Sequence, residues 1–226
     1  MKKNIWSEFA KSYDVVLRNW SLYQELRDKI AHHTNACKVV LDQGCGTGII
    51  ATDLAKKRKI IYGIDNNKEM LANAFEKIDD SIQGNMHLQK GDAHNLEYED
   101  DYFDGVVSNN VLFYVKDPIA VLKEAHRALK KEGVFIASGP VPNPDIGKLT
   151  QHIIAEFKKK GIYEALQKDL EHFLECSVQL KGTGMPNTYR ARALASILTE
   201  KVGFDKVLEE CESIYLGQSY FVVVEK

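Results

Sequence analysis

Apolar residues recur at helical spacing near the start of the chain, at Ile5, Phe9, Tyr13 and Val16 and again at Leu22, Leu26 and Ile30. This three-to-four-residue period predicts two amphipathic helices ahead of any strand. The pattern then changes to short β-rich runs at 38–42, 60–65 and 87–91, separated by helical stretches over 48–57 and 68–78. Apolar strands alternating with helices are the rhythm of a parallel sheet joined by helical crossovers. Residues 103–108, a helix over 119–129 that ends at a Lys-Lys-Glu-Gly turn, and 134–138 bring the count to five strands. Three prolines in GPVPNPDIG interrupt regular structure, and 146–180 then reads as two helices separated near Gly161, an inserted lid. A turn at 182–187, a helix over 189–202 and strands at 207–211 and 219–224 follow. The 213–218 link between the last two strands is short enough for an antiparallel hairpin.

A chain of 226 residues holds one well-buried core plus a modest insertion. The division expected is a single domain: N-terminal helices over 1–36, a core over 37–139, the lid over 140–186, and a final helix with hairpin over 187–226. Thirty Lys and Arg against 32 Asp and Glu leave a net charge of −2. No global positive field is available to hold a polyanion, which argues against nucleic acid as a partner. The lid's acids and lysines balance, so it is no basic arm. Neither an apolar leader core nor a run long enough to span a bilayer is present, so a cytoplasmic protein is expected. Cys37, Cys45, Cys176 and Cys211 are scattered without CxxC spacing, which fits free thiols better than a disulfide scaffold or a structural zinc site. His32 and His33 are adjacent and so point to different faces of their helix, and no metal is expected.

The chemistry concentrates at VVLDQGCGTG, residues 39–48, an apolar strand running into a glycine-rich turn and a helix. Gly44 permits the sharp turn, Gly46 lets backbone approach a ligand without a Cβ in the way, and Gly48 opens the helix whose amides are free. A tight turn with no ligand would also use glycine. The second strand, however, ends in Asp65, 17 residues after Gly48, where an acid accepts hydrogen bonds from ribose hydroxyls. Its alternative job, capping the next helix, can fall to Asn66 or Asn67. Gly91-Asp92-Ala93 ends the third strand with a further carboxylate, which taken alone reads as a turn residue and, as a third strand end on the same edge, as a contact for an adenine amino group. Three polar strand ends on one sheet edge describe one nucleoside-shaped site.

LDQGCGTG, the Asp65 strand end, GDA at 91–93 and SNNVLFYVKDP at 108–118 together resemble the class I S-adenosylmethionine-dependent methyltransferases. VLKEAHRALKKEGVFIAS looks like the helix and fifth strand that follow in that family, and FAKSYD is similar to the phrase that precedes the first motif in its small-molecule, ubiquinone-biosynthesis-like branch. The resemblance implies an α/β Rossmann-like doubly wound sheet of seven strands, the last antiparallel, with helices on both faces and the helical lid inserted. It implies S-adenosylmethionine as cofactor and S-adenosylhomocysteine as product. The methionine end is placed against Asp42, Gly44 and Gly46, with Cys45 and Gly48 also cofactor-binding, the ribose on Asp65, the adenine beside Asn66, Asp92 and Ala93, and the sulfonium near Asn109. Tyr13 approaches from the N-terminal helix. Gln43 departs from the small residue or valine more usual there, and its side chain is expected to point into the sheet. The lid matches no family pattern.

Methyl transfer from a sulfonium is an in-line displacement that needs orientation more than a dedicated nucleophile. Acceptor-side candidates are Tyr13, Trp20, Phe113, Tyr114, His152, His172 and Tyr189, set against core packing for the aromatics and a solvated helix surface for the two histidines. A small-molecule acceptor is expected, and no feature sets an oligomeric state. Ser108-Asn109-Asn110-Val111 departs from the Asp/Asn-Pro-Pro-Tyr of DNA amino-methyltransferases, and no cysteine follows a proline as in cytosine-C5 enzymes. An NAD-dependent oxidoreductase is the rival enzyme, although Ile49 stands where the third glycine of GxGxxG belongs. A non-catalytic cofactor sensor or scaffold is the rival outside enzymes.

Overall fold

The N-terminal apolar stripes fold as α1 (Ile5–Asn19) and α2 (Ser21–His33). The computed structural model describes residues 5–182 and 185–226, apart from the side chain of Lys11. Residues 1–4 of the opening stretch and 183–184 of the expected 182–187 turn lie outside the described residues.

Seven strands follow the expected rhythm: β1 (Val39–Gln43), β2 (Ile60–Asp65), β3 (Met86–Lys90), β4 (Phe103–Asn109), β5 (Leu129–Pro140), β6 (Lys206–Ile214) and β7 (Ser219–Glu225). They form one sheet in the order β3-β2-β1-β4-β5-β7-β6. The pairs among β1 to β5 are parallel, whereas β7 runs antiparallel to both β5 and β6. The order reverses between β1 and β4, and a sheet of this kind opens a ligand crevice outside the carboxyl ends of the strands at such a reversal.

Because side chains alternate across a strand, neighbouring residues feed opposite layers of core. Val40, Val107, Ile136 and Val223 pack into the layer containing α1, α2, α3 (Ile49–Lys56) and α4 (Lys68–Phe75). Leu41, Val106, Phe135 and Val222 pack into the layer containing α5 (Pro118–Ala128) and α8 (Ala191–Ile197). Helix starts are set by side-chain caps: Asn67, Asp117 and Asp145 accept from the amides of Met70, Ala120 and Lys148. Asn67, and not Asp65, therefore caps α4, leaving the Asp65 carboxylate for the loop beside it.

The expected lid folds as α6 (Ile146–Lys159) and α7 (Tyr163–Gly182), with Gly161 at φ 70° between them. It lies against α1 on the first face of the sheet. Glu156 accepts from the Ser21 amide at 2.8 Å and its hydroxyl at 2.7 Å, and Lys160 donates to the Asn19 carbonyl at 2.7 Å.

Two boundaries differ from the sequence reading. The Lys-Lys-Glu-Gly stretch is not a turn between elements but an irregular start of β5, where Leu129 pairs with Phe103 before the ladder resumes at Gly105 and Val134. Pairing of Gly133 with the Lys226 amide keeps it extended, and the left-handed Glu132, at φ 63°, absorbs the irregularity. The last helix is α-helical only over Ala191–Ile197 and continues as a π-helical turn, Leu198–Val202, closed by the Gly203 amide on the Leu198 carbonyl.

Gly48 illustrates how tightly the loop is packed. Its φ is +74°, and a Cβ there would sit 2.9 Å from the Cβ of Ala74. Gly48→Ala is expected to lose about 1–3 kcal/mol of stability in urea unfolding, from strain and overpacking together. Gly84→Ala, with nothing within 4 Å of its Cβ, is the comparison, expected to stay within about 0.5 kcal/mol of the parent.

Candidate active site

The loop after β1 is fixed by the end of β2. The amides of Gly44 and Cys45 both donate to the Ile64 carbonyl at 2.8 Å, and the Gly46 amide donates to Asp65 Oδ2 at 2.9 Å. Asp65 Oδ1 accepts from the Asn67 amide at 2.8 Å. Gly44, Gly46 and Gly48 all have positive φ, the conformation that glycine adopts without Cβ strain. A Cβ on Gly46 would meet nothing closer than Met70 Sδ at 4.0 Å, so its absence leaves space on the cleft side of the loop.

This loop and the neighbouring strand ends bound a cleft of about 920 Å³. Tyr13, Asp42, Gly44, Cys45, Gly46, Asp65, Asn66, Asp92, Ala93 and Asn109 all line it, so the structure brings together every cofactor-side candidate except Gly48. Gly48 instead packs against Ala74 behind the wall. Sequence reasoning missed Trp6, Tyr23, Thr47, His94 and Asn110, which also line the cleft. Trp6 was readable as the residue one helical turn before Phe9 on the same face; the others depend on how the loops fold back.

The electrostatics of the cleft are one-sided. Asp42, Asp65 and Asp92 line it, and no Lys or Arg does among the described residues. Asp42 is buried and its Oδ2 has no hydrogen-bond partner. Burial, with the nearby Asp65 charge adding to it, pushes the Asp42 carboxyl up to about 7, while the Ala51 amide offsets part of the rise. Burial also raises Asp65, opposed by the amides of Asn67, Gly46 and Asn66. Asp92 is held below the usual carboxylate range by the amide and ring of His94, whose Nδ1 lies 2.7 Å from Asp92 Oδ1. Burial holds the Cys45 thiol well above its ordinary range, so it stays protonated and is no nucleophile. Gln43 points into the protein as expected, and its Nε2 donates to the Ala93 and Val121 carbonyls at 3.3 and 3.4 Å.

A second cavity, of about 840 Å³, lies between α1 and the α6–α7 pair. Trp6, Tyr13 and Asn110 line both cavities, so the two meet at that wall. Burial pushes the Tyr13 hydroxyl up to about 12, and Asn110 hydrogen-bonds it. Phe113 and Trp20 line the second cavity, whereas the exposed Tyr114 lines the first. The two lid histidines line neither cavity; they are partly exposed and tied to neighbouring helices. His152 Nδ1 accepts from Trp20 Nε1 at 3.2 Å, and His172 Nδ1 lies 3.0 Å from Ser12 Oγ. Tyr189 packs near Tyr220 in the other core layer.

The methyltransferase-domain family matches residues 33–182, more than half of the chain and all of the cleft's strand ends. The chain belongs to this family. A ubiquinone/menaquinone biosynthesis C-methyltransferase of Rickettsia prowazekii is 32% identical over 166 residues, covering 69% of this chain and 64% of that protein. A demethylmenaquinone methyltransferase of Lactobacillus johnsonii is 40% identical over 114 residues, 48% of this chain and 47% of that protein. The match thus spans less than two thirds of either relative's length. A solved structure from Methanococcus maripaludis, described as an S-adenosyl-L-methionine-dependent methyltransferase, shares the fold with a TM-score of 0.70 at 22% identity, covering 100% of this chain and 95% of that one. The class I, ubiquinone-like resemblance carried by the ordered motifs and the seven-stranded fold with its antiparallel last strand both stand. Among the described residues no helix is long and apolar enough to cross a membrane.

The Asp42 carboxyl gives a pH signature. Its folded value lies above that of an unfolded aspartate, so the folded state binds the extra proton between about pH 4 and 7. Its stabilising effect is complete below that window and is lost as pH rises through 7. In ligand-free protein, Asp42→Asn is expected to flatten the decline in unfolding free energy across the window, by up to about 1.4 kcal/mol per pH unit. Parallel urea-unfolding profiles of parent and variant would reject the assignment.

Proposed function

We propose that the protein transfers a methyl group from S-adenosylmethionine to a small-molecule acceptor, leaving S-adenosylhomocysteine. The observation that carries this reading is the sign of the cleft: three carboxylates line it, Asp42 is buried without a partner for Oδ2, and among the described residues no lysine or arginine lines it. A ligand bearing ammonium and sulfonium charges relieves that arrangement, whereas the pyrophosphate of NAD adds repulsion to it. The open space beside Gly46 and the strand-end acid Asp65 suit the same nucleoside.

In this reading Asp42 and the Gly44–Gly46 backbone face the amino-acid end, Asp65 accepts from the ribose, and Asn66, Asp92 and Ala93 flank the base. Asn109 stands at the end of β4, its Oδ1 fixed by the Ser138 hydroxyl at 2.6 Å. When bound, the sulfonium supplies an electrophilic methyl group. The chain's own contribution is alignment and exclusion of water, because Trp6, Tyr13 and Asn110 separate the cleft from the second cavity, where the acceptor is placed. Segment 140–186, carrying α6 and α7, serves as the lid of that cavity and closes when both ligands are present. The relatives named for menaquinone and ubiquinone biosynthesis support a small-molecule acceptor.

Calorimetric titration with S-adenosylmethionine, S-adenosylhomocysteine and NAD side by side tests the reading. Micromolar binding of the first two and none of NAD is expected; NAD binding alone would overturn it. Binding without turnover across a broad acceptor panel would favour a sensor. Asp65→Ala is expected to weaken S-adenosylhomocysteine binding more than tenfold, through loss of ribose acceptors and of the Gly46 clamp together. Unchanged affinity in a folded variant would reject the ribose placement.

A further inference from the structure

The second cavity differs in kind from the cleft it adjoins. Among the described residues, none that forms its wall is charged. The cavity is closed by α1 residues such as Phe9 and Leu17 and by lid residues such as Leu149, Ile153 and Leu174. Most of its few polar groups are already engaged: Ser177 Oγ donates to the Phe173 carbonyl at 2.8 Å, and Gln218 donates to the Leu216 carbonyl at 3.3 Å while accepting from the Asp145 amide at 2.6 Å; the Tyr215 hydroxyl, buried without a partner, is left for a neutral polar group of the guest. Asn110 is bonded to Tyr13, and Trp20 Nε1 to His152. Two lysines next to wall residues are spent on backbone, Lys148 on the Leu216 carbonyl and Lys181 on the Pro144 carbonyl, each at 2.9 Å. Such walls offer a guest dispersion and desolvation but no free counter-charge.

We propose that this chamber selects its acceptor by exclusion of charge: the molecule methylated is uncharged and mostly apolar, its body filling the space under the lid and its reacting atom directed at the Tyr13–Asn110 wall. This inference rests on the methyl-transfer reading. Two features fix the occupant as a small molecule. Two helices roof the chamber, and among the described residues it meets the cleft at the wall of Trp6, Tyr13 and Asn110. A carboxylate or ammonium entering the chamber loses hydration and meets no counter-charge among the described residues, whereas each buried methylene gains affinity.

The test uses the full chain saturated with S-adenosylhomocysteine and titrated with straight-chain 1-alkanols of five to nine carbons, then with octanoate and octylammonium. The protein's two tryptophans, Trp6 and Trp20, both line the chamber, so their emission reports occupancy independently of turnover. The alkanols are expected to bind with affinity rising about fourfold per methylene and with a blue shift of tryptophan emission. Octanoate and octylammonium are expected to bind at least tenfold more weakly than 1-octanol. Leu174→Glu, at a half-buried chamber position, is expected to weaken 1-octanol at least tenfold and leave S-adenosylhomocysteine affinity unchanged. Equal or tighter binding of either ion, no dependence on chain length, or no alkanol binding would each overturn the proposal. Failure of S-adenosylhomocysteine itself to bind would count against the methyl-transfer reading, and this separates the two.

Discussion

The site depends on one carboxylate. Asp65 ends β2, and its two oxygens hold the amides of Gly46 and Asn67, so one side chain ties the glycine loop after β1 to the turn that starts α4. With the Gly44 and Cys45 amides on the Ile64 carbonyl, the loop is fastened at three successive residues. A left-handed backbone at Gly44, Gly46 and Gly48 has little intrinsic preference to stay there, and these bonds select it. The same geometry buries Asp42 at the neighbouring strand end without a partner for Oδ2, a cost of several kcal/mol for a charged group unless it protonates or meets a cation. The rise of its pKa to about 7 is the ligand-free solution to that cost.

Two adjoining cavities of opposite character follow from where the chain spends its charges. Acids collect at the carboxyl ends of β1 and β2 and just beyond β3, because those ends converge at the reversal of strand order. The space beneath the lid is built from the apolar faces of amphipathic helices whose charged residues look outward or cap one another. Glu156 shows the second half of this division: its carboxylate is bonded to Ser21 and paired with Lys160, fastening α6 to the start of α2 while contributing nothing to the chamber wall. A cationic cofactor and an uncharged acceptor are thereby sorted by electrostatics before shape discriminates between them.

Much of this was legible in the sequence for definite reasons. Short apolar runs separated by helical stretches announced a parallel sheet covered by helices, and glycine and aspartate at strand ends announced the cleft, because their chemistry is local to a strand and its turn. What was hidden depends on distant contacts. His94 enters the cleft because its ring folds back on Asp92, and Asn110 reaches Tyr13 from a left-handed position at φ 57° that no periodicity reveals. His152 and His172 are partly exposed, and helical spacing cannot show that Trp20, between α1 and α2, and Ser12, on α1, are their partners. The irregular start of β5 was read as a turn because Lys-Lys-Glu-Gly is turn chemistry, and only its pairing with the chain's final residue makes it extended.

The lid carries none of the motifs that marked the sequence, although the family match runs through α6 and α7 to residue 182, and its physical logic is separate from that of the cleft. α6 and α7 are not needed to complete the sheet, whose two faces already have α1 to α5 and α8 against them. What they add is a roof for apolar side chains, through Ile153, Phe157, Leu170 and Phe173, which join the core layer of α1. A roof that shares its core with α1 cannot lift without disturbing Trp6, Phe9 and Tyr13, and two of these also line the cleft. Filling the chamber and filling the cleft therefore stabilise the same set of contacts, so each ligand favours the arrangement the other requires. Coupling between acceptor and cofactor then arises from shared packing on α1, with no need for a direct contact between their charged groups.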